Sequence, residues 1–413
     1  MAERHGGRKG PASRRAVALL VAGLLVMAGA GLWEVLAVPA LVKFPLSTDT
    51  TLHYRGHFVT FLDAATGAPL AHPTSTALAM DRRIAAVPSQ SSSGVAIVRE
   101  DITLRYGGQV VHEDNVYALD RRSMCNVADR LACTFAPGNP APSTGSYYIT
   151  LPMDIVPGTT PLRIWKPETA TTYPLRPLTG GRGTSVVDGL RVAWFSGVLP
   201  MTPVAPYERT ALARRGLPMT LSPSQVEAQL ATAGVSVAAL SAGLLPVLSP
   251  AETSEVSAVL GRPVALHYFA FGSGLVAAQT RTGAIVALRG VTDGIAVQPD
   301  TTGLRTLVAV LARHQSVSGV PAALAVLRTM AAEPPQPVYE LLYTQTPASV
   351  ASVVATTQSE LRQITLVTAV LPIAGGALGV ALVLLAVAVS RRRHPAAPGA
   401  GTLGSGPVER RAA

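Results

Sequence analysis

VAIVREDITLRYGGQVVHEDNVYAL, residues 95–119, is the stretch of sequence that decides the fold. Apolar and polar residues alternate through 95–106 and again through 109–119, a pattern typical of half-buried β-strands. Gly107-Gly108 separates the two runs, and a two-residue glycine connection is a strong signal for a tight hairpin. The sequence therefore predicts an antiparallel pair of strands that turns at these two glycines.

A hairpin centred on the two glycines brings three candidate metal ligands onto one face. Asp101 falls opposite Asp114, and His112 lies diagonally beside them. Two carboxylates and an imidazole can bind a divalent cation. The alternative is a solvated sheet face whose register is shifted by one residue and on which an arginine, Arg99 or Arg105, lies near the acidic residues. We favour the solvated face and expect neither a metal site nor a cofactor site.

Outward from the hairpin, most of the middle of the chain is β by pattern. Runs of β-forming residues predict further strands at 51–62, 146–151, 186–196, 264–270, 275–280, 284–290 and 338–344. A helix is predicted from Ser222 to about 233, because Ser222 is a good N-cap and Pro223 and Gln225 complete the starting pattern. Further helices are predicted at 302–314, 320–332 and 348–363. The expected fold class is a β-rich α+β domain.

Two apolar segments flank this β-rich middle, at residues 16–42 and 364–390. Each is long enough for a transmembrane helix, and the second carries no charged residue. The first follows a basic segment and contains Ala28-Gly29-Ala30, so a cleavable signal peptide is the alternative. Apolar character resumes after Glu34, which favours an uncleaved signal anchor.

Charge is concentrated at the two ends of the chain. The formal net charge is +10, and residues 1–15 and 390–413 contribute +8 of it. Basic tails beside apolar spans indicate cytoplasmic termini, whereas a nucleic-acid-binding protein needs a basic face in its folded part. The predicted organisation is a cytoplasmic basic tail (1–15), a first transmembrane helix (16–42), an extracytoplasmic domain (43–363), a second transmembrane helix (364–390) and a disordered cytoplasmic tail (391–413).

The chain has two cysteines, Cys125 and Cys133. Outside the cytoplasm a closely spaced pair favours a disulfide, which we predict here. Free thiols and a metal site are the alternatives, and the spacing shows no two further ligands for a metal.

Small residues in the apolar segments predict helix packing. Gly375 and Gly379 have the GxxxG spacing, and Ala18 and Ala22 offer a similar stripe in the first segment. These faces suit either a packed two-helix stem or a homodimer. The alternative is that small residues are simply common in this Ala-rich chain.

Catalytic motifs are absent from the sequence. It contains no GxSxG nucleophile elbow, no HExxH zinc motif and no CxxC pair. We therefore expect no catalytic residues and do not expect an enzyme.

Several segments resemble the actinobacterial PorA-like family of two-pass membrane proteins, whose shared domain has no known function. The resemblance covers about 16–390 and is carried by LHYRGHFVTFLDAATG (52–67), VYALDRRSM (116–124), YYITLPMDIVPGTTPLRIW (147–165), VVDGLRVAWFSGVLP (186–200) and RTGAIVAL (281–288). Ile285 stands where the family usually has Val. The family name implies a porin, but a membrane barrel spans with strands, and here two apolar helices are expected to span.

The two-stem architecture is also similar to that of class B scavenger receptors, which carry lipids. That similarity implies an envelope protein that binds or transfers an apolar, lipid-like ligand, and this is the function we favour. The alternatives are a structural or interaction protein without a ligand and a porin-like channel component. The expected partners are the bilayer, a lipid ligand and a second copy through the transmembrane helices, and nucleic acid is not expected.

Overall fold

The computed structural model describes residues 11–63, 69–128, 144–156, 161–180, 183–232 and 234–391. The chain divides into two compact units. The terminal unit comprises residues 1–43 and 361–413, and the sheet domain comprises residues 44–360. Residues 1–10 and 392–413, which make up most of the two predicted tails, lie outside the described residues.

The described residues contain the following elements. The helices are α1 Pro11–Leu32, α2 Val38–Leu41, α3 Pro206–Arg214, α4 Pro223–Thr232, α5 Val237–Leu244, α6 Pro250–Leu260, α7 Thr301–Arg313, α8 Val320–Ala332, α9 Pro347–Thr365 and α10 Leu371–Arg391. The strands are β1 Asp49–Leu62, β2 Pro69–Ala86, β3 Val95–Tyr106, β4 Gln109–Asp120, β5 Leu162–Lys166, β6 Thr171–Pro177, β7 Thr184–Val187, β8 Leu190–Pro203, β9 Thr220–Leu221, β10 Val264–Ala278, β11 Ile285–Pro299 and β12 Gln336–Gln345. Single π-helical turns, Trp33–Ala37 and Leu366–Val370, interrupt the apolar helices.

The sheet domain is built on one large curled sheet of 12 strands. The strand order is β4-β3-β2-β1-β12-β11-β10-β8-β6-β5, with β7 and β9 pairing β8 and β10. Pairing between β1 and β12 joins the first strand of the domain to the last one. The expected β-rich α+β class is confirmed, and this central pair places residues that are distant in sequence on one inner face.

The hairpin predicted at 95–119 is confirmed. β3 pairs with β4 so that Tyr106 meets Gln109, and the turn glycines have φ of 53° and 78°. Residues that carry a side chain rarely adopt such positive φ values, which explains why the turn needs two glycines. The register is also the predicted one, with Asp101 opposite Asp114.

Four of the predicted strands differ in the structure. Residues 146–151 form bends with one isolated bridge at Tyr147, so the predicted strand is wrong. The predicted strand 186–196 is a second hairpin, because Asp188-Gly189 turn the chain between β7 and β8 with positive φ values. The segments 264–270 and 275–280 belong to one strand, β10, which continues through an irregularity between Ser273 and Leu275.

Sequence patterns missed strands β2, β5 and β6 and helices α3, α5 and α6. β2 is the longest strand, but Pro69, Pro73 and several alanines hide its pattern. Its 18 residues pair with β1 on one side and β3 on the other, so tertiary pairing overrides weak local propensity.

The predicted helices are confirmed to within a few residues. Ser222 caps α4 as expected, since its Oγ accepts from the Gln225 N–H at 3.2 Å and Gln225 Oε1 accepts from the Ser222 N–H at 2.8 Å. The structure places α7, α8 and α9 where the three remaining helices are predicted.

Two helical stretches of the described residues are long and apolar enough to cross a membrane, Arg14–Ala37 and Pro347–Arg391. They contain the predicted spans 16–42 and 364–390 except for the last residues of the first. Length and composition therefore agree with the sequence prediction of two apolar terminal helices.

Candidate functional site

The inner face of the curled sheet holds a cavity of about 1470 Å³. Strands β1 to β4 and β9 to β12 line it together with residues of α3, α4, α7 and α8. Typical small-molecule pockets span roughly 300–1,000 Å³, so this cavity suits a ligand larger than most metabolites.

One wall of the cavity is apolar and aromatic because of strand periodicity. Alternate residues of a strand point to the same face of a sheet, and here that face looks into the cavity. β1 contributes Phe58 and Leu62, and β3 contributes Ile102 and Leu104. The Phe58 ring stacks on the ring of Tyr106, with ring centres 4.1 Å apart.

Helices cover one end of the cavity with further apolar side chains. This end of the wall contains Leu221, Val226, Leu266, Val297, Leu304 and Met330. Leu266 and Leu304 are buried, and both belong to packed hydrophobic clusters. The end of the cavity beside α4, α7 and α8 is therefore an apolar compartment.

A group of charged side chains lines another part of the cavity. We call it the charged cluster, and it consists of Glu113, Lys166, Glu168, Glu208, Arg215 and Asp293. Lys166 Nζ lies 2.6 Å from Asp293 Oδ2 and 3.0 Å from Glu168 Oε1. Burial alone would lower the pKa of Lys166, but the two carboxylates raise it well above its ordinary value. Lys166 is therefore a charged residue at neutral pH.

The second cation of the charged cluster is Arg215, directly after α3. Its guanidinium lies 2.9 Å from Glu113 Oε1 and 3.7 Å from Glu208 Oε1. Burial, followed by the negative charge of Glu168, raises the pKa of Glu208 to about 7. Burial also raises the pKa of Glu113, although its side chain keeps 38% of its accessible surface. The raised pKa and the exposed fraction are compatible, because Glu113 lines the cavity and its exposed surface faces that cavity.

Arg82 and Glu100 form a buried ion pair beside the charged cluster. Arg82 Nε donates to Glu100 Oε1 at 2.5 Å, and Glu100 is fully buried. The second oxygen of Glu100 accepts from Asn115 and from the hydroxyl of Tyr117, each at 3.0 Å. Both oxygens of the buried carboxylate therefore have hydrogen-bond partners.

Three polar atoms that line this region make no hydrogen bond to the described residues. They are Glu168 Oε2 and the hydroxyls of Tyr54 and Tyr207. Tyr54 is 2% exposed, and its ring packs edge-on against Tyr343 at 5.7 Å. Native proteins rarely leave buried polar atoms unsatisfied, so each such atom needs an explanation.

Of the candidate metal ligands of the first hairpin, His112 and Asp114 line the cavity, whereas Asp101 does not. Arg99 donates to Asp101 at 2.9 Å and to Asp114 at 2.6 Å, so a guanidinium joins the two carboxylates. His112 Nδ1 lies 3.1 Å from the hydroxyl of Thr103. Arg99 is thus the neighbouring arginine of the solvated-face alternative, but the register is not shifted by one residue as that alternative requires. Among the described residues there is no group of three or more potential metal ligands.

The predicted disulfide is not formed within the described residues. Cys125 Sγ lies 2.9 Å from the hydroxyl oxygen of Ser123. Cys133 lies outside the described residues, so its pairing with Cys125 stays a prediction.

The predicted packing glycines lie where α1 meets α10 in the terminal unit. A Cβ built on Gly379 would lie 2.5 Å from Met27 Cγ, and one on Gly375 would lie 3.4 Å from Ala30 Cβ. Gly23 supplies the closest approach from α1. Ala22 is half-buried beside it, whereas Ala18 is exposed.

With the geometry described, the comparison with known families is informative. The sequence profile of a family described as porin PorA matches residues 15–388. The chain belongs to the porin PorA family. The resemblance proposed from sequence segments is thereby confirmed over almost the whole chain. Among curated proteins, none is significantly similar to it.

The charged cluster of this PorA-family chain escaped sequence analysis. Lys166 and Asp293 are separated by 127 positions, and Arg215 and Glu113 by 102. Each residue alone looks like an ordinary surface charge. One local signal was present, since Lys166 and Glu168 follow the apolar segment LRIW, where a charge is expected to meet a buried surface.

Proposed function

We propose that this PorA-family chain is a two-pass membrane protein whose sheet domain binds or transfers an apolar, lipid-like ligand. The observation that carries the proposal is the cavity of about 1470 Å³, whose walls are largely aliphatic and aromatic. Its size suits an acyl chain together with a head group better than a typical soluble metabolite.

The free energy available in such a cavity supports a lipid. Burying one methylene group from water contributes about 0.8 kcal/mol. Ten methylenes would therefore contribute about 8 kcal/mol, which corresponds to a dissociation constant of about 1 μM before the costs of ordering the chain. We expect the acyl chain of the lipid to lie in the apolar compartment beside α7 and α8.

The membrane topology is part of the proposal. Both apolar helices are candidate spans, and five basic residues lie in each short terminal tail. Basic residues beside a span favour retention in the cytoplasm. We therefore place both termini in the cytoplasm and residues 43–363 outside, with an uncleaved signal anchor at the N-terminus. We propose no catalytic reaction and no nucleic-acid partner.

The test is lipid analysis of the full chain purified in detergent. Bound lipids are extracted and identified by mass spectrometry from the wild type and from a cavity-filling variant, Leu104→Trp with Leu341→Trp. Both leucines line the cavity. The matched control is Val198→Trp, because Val198 is 58% exposed and does not line the cavity.

The wild type and the control are expected to carry stoichiometric lipid, and the cavity-filling variant is expected to lose it. Thermal unfolding shows whether the variant is folded. If it is not, the single variants Leu104→Trp and Leu341→Trp take its place. A folded wild type without lipid, or equal lipid in a folded filled variant, would overturn the proposal.

A porin-like channel is the second candidate, because the family is described as a porin. Planar-bilayer recordings of the purified chain separate the two. Steady unitary conductance that the cavity-filling variant abolishes would favour the channel over lipid binding.

A further inference from the structure

We propose that the charged cluster binds the polar end of the ligand and selects lipids with an uncharged, hydroxyl-bearing head over lipids with an anionic head. This inference rests on the proposed function and names the ligand class for the same cavity. Glycerol and sugar heads share the required chemistry, since both present several hydroxyl donors.

The charge balance of the cluster argues against an anionic head. Four acidic side chains, those of Glu113, Glu168, Glu208 and Asp293, surround the two cations Lys166 and Arg215. The acidic groups outnumber the cations even though Glu208, whose pKa is raised to about 7, is partly protonated at neutral pH. Each cation already contacts two carboxylates at the distances given above. An incoming phosphate, sulfate or carboxylate would therefore add negative charge to an acidic region whose cations are paired.

The unsatisfied atoms argue for a head that donates hydrogen bonds. Glu168 Oε2 accepts no hydrogen bond from the described residues, and a carboxylate oxygen can only accept when ionised. The Tyr54 and Tyr207 hydroxyls can each accept as well as donate. A hydroxyl group donates to a carboxylate and accepts from a tyrosine, so a head group with several hydroxyls offers a partner of the right kind for each of these atoms.

The position of the cluster fits a ligand with a head and a tail. Along β11 the inner face changes from Asp293 to Ile295 and Val297 within four residues. Four residues of a strand span about 13 Å, so the charged cluster and the apolar compartment lie within the length of one lipid molecule. On β12, Leu341 lies opposite Asp293, and it lines the same cavity.

Other parts of the molecule do not carry a comparable inference. The acidic and basic residues around Arg99 are exposed and pair with one another. The Arg82–Glu100 pair is fully satisfied. The charged cluster is the place where buried acceptors remain open beside an apolar compartment.

The test compares two ligands that have the same acyl chain and different head groups. The full chain is reconstituted in nanodiscs, and 1-monooleoylglycerol or oleyl sulfate displaces a fluorescent acyl probe. Oleyl sulfate is anionic at every working pH. We expect the wild type to bind monooleoylglycerol at least about tenfold more tightly, a difference typical of one misplaced charge.

The decisive variant is Glu168→Gln, which removes one negative charge and keeps an acceptor. We expect the tenfold preference to fall to about threefold or less, because Lys166 then becomes available to the sulfate. Glu208→Gln should shift the preference in the same direction. The matched control is Glu255→Gln, whose side chain is 54% exposed and does not line the cavity. It should leave the preference unchanged.

The outcomes separate this inference from the proposed function. If neither ligand displaces the probe and no lipid co-purifies, the proposed function fails. If both ligands bind the wild type equally, or oleyl sulfate binds more tightly, lipid binding stands and the head-group inference is overturned. An unchanged preference in folded Glu168→Gln and Glu208→Gln variants would also overturn it. Oleylamine serves as a third ligand, and tighter binding of it than of monooleoylglycerol would replace the hydroxyl head by a cationic one.

Discussion

Gly56→Ala should separate two central strands of the sheet that lines the cavity. Gly56 lies on β1 opposite Tyr343 of β12. A Cβ at this position would overlap the carbonyl oxygen of Leu342 and lie 2.7 Å from Tyr343 Cα. Both neighbouring atoms belong to the backbone, so no change of side-chain rotamer can relieve the overlap. The two strands must move apart.

The expected cost follows from this geometry. Overpacking in a close-packed interior costs about 1–3 kcal/mol. Moving β1 from β12 also weakens neighbouring ladder hydrogen bonds, each of which contributes about 1 kcal/mol. We therefore expect Gly56→Ala to lower the free energy of unfolding of the sheet domain by about 3 kcal/mol. Lipid occupancy should fall as well, because β1 and β12 both line the cavity.

Chemical denaturation of the full chain in detergent, followed by far-UV circular dichroism, measures this change. Gly94→Ala is the matched control, because a Cβ on Gly94 meets no atom within 4 Å. The control should differ from the wild type by about 0.5 kcal/mol or less. A Gly56→Ala variant as stable as the Gly94→Ala control would refute the close approach of β1 and β12.

Three further predictions concern other parts of the molecule. The pKa of Glu208 is raised from 4.5 to about 7, so between these pH values the folded state binds more protons than the unfolded state. The free energy of unfolding should therefore fall by up to about 3 kcal/mol as the pH rises from 4.5 to 7. Glu208→Gln should flatten that fall in denaturation curves measured across this pH range. In intact cells, a membrane-impermeant thiol reagent should label a cysteine at Ser185 but not one at Ser405, with both native cysteines replaced; labelling at Ser405 would contradict the two-span topology. Gly379→Leu should lower the thermal stability of the terminal unit in detergent by about 1–3 kcal/mol, whereas Gly376→Leu should not, since a Cβ on Gly376 meets no atom within 4 Å; equal effects would remove the α1–α10 contact from the account.

The parts of the fold that sequence predicts are those decided by local chemistry. The Gly107-Gly108 turn fixes the register of the first hairpin, and Ser222 fixes the start of α4. The two apolar helices follow from composition, because no alternative element accommodates so long a run of apolar residues. In each case the residues that decide the structure are neighbours in the chain.

The cavity could not be predicted because its walls meet through long-range pairing. β1 pairs with β12, so Phe58 lies opposite Leu341 although almost 300 positions separate them. Lys166 at the end of β5 reaches Asp293 on β11 because the sheet curls, although β10, β8 and β6 lie between these two strands. Residues that line a cavity have the same alternation as residues of a filled core, so the pattern of β1 alone does not distinguish the two.

The measurement that tests the central claim most directly is photo-crosslinking of a lipid in the cavity. A fatty alcohol with a diazirine in its chain is added to the full chain in nanodiscs, and labelled peptides are mapped by mass spectrometry. We predict labelling at the inner wall around Leu266, Val297 and Leu304 that excess 1-monooleoylglycerol suppresses. Labelling confined to the terminal helices, or to the exposed surface around Val198, would contradict a lipid-binding cavity.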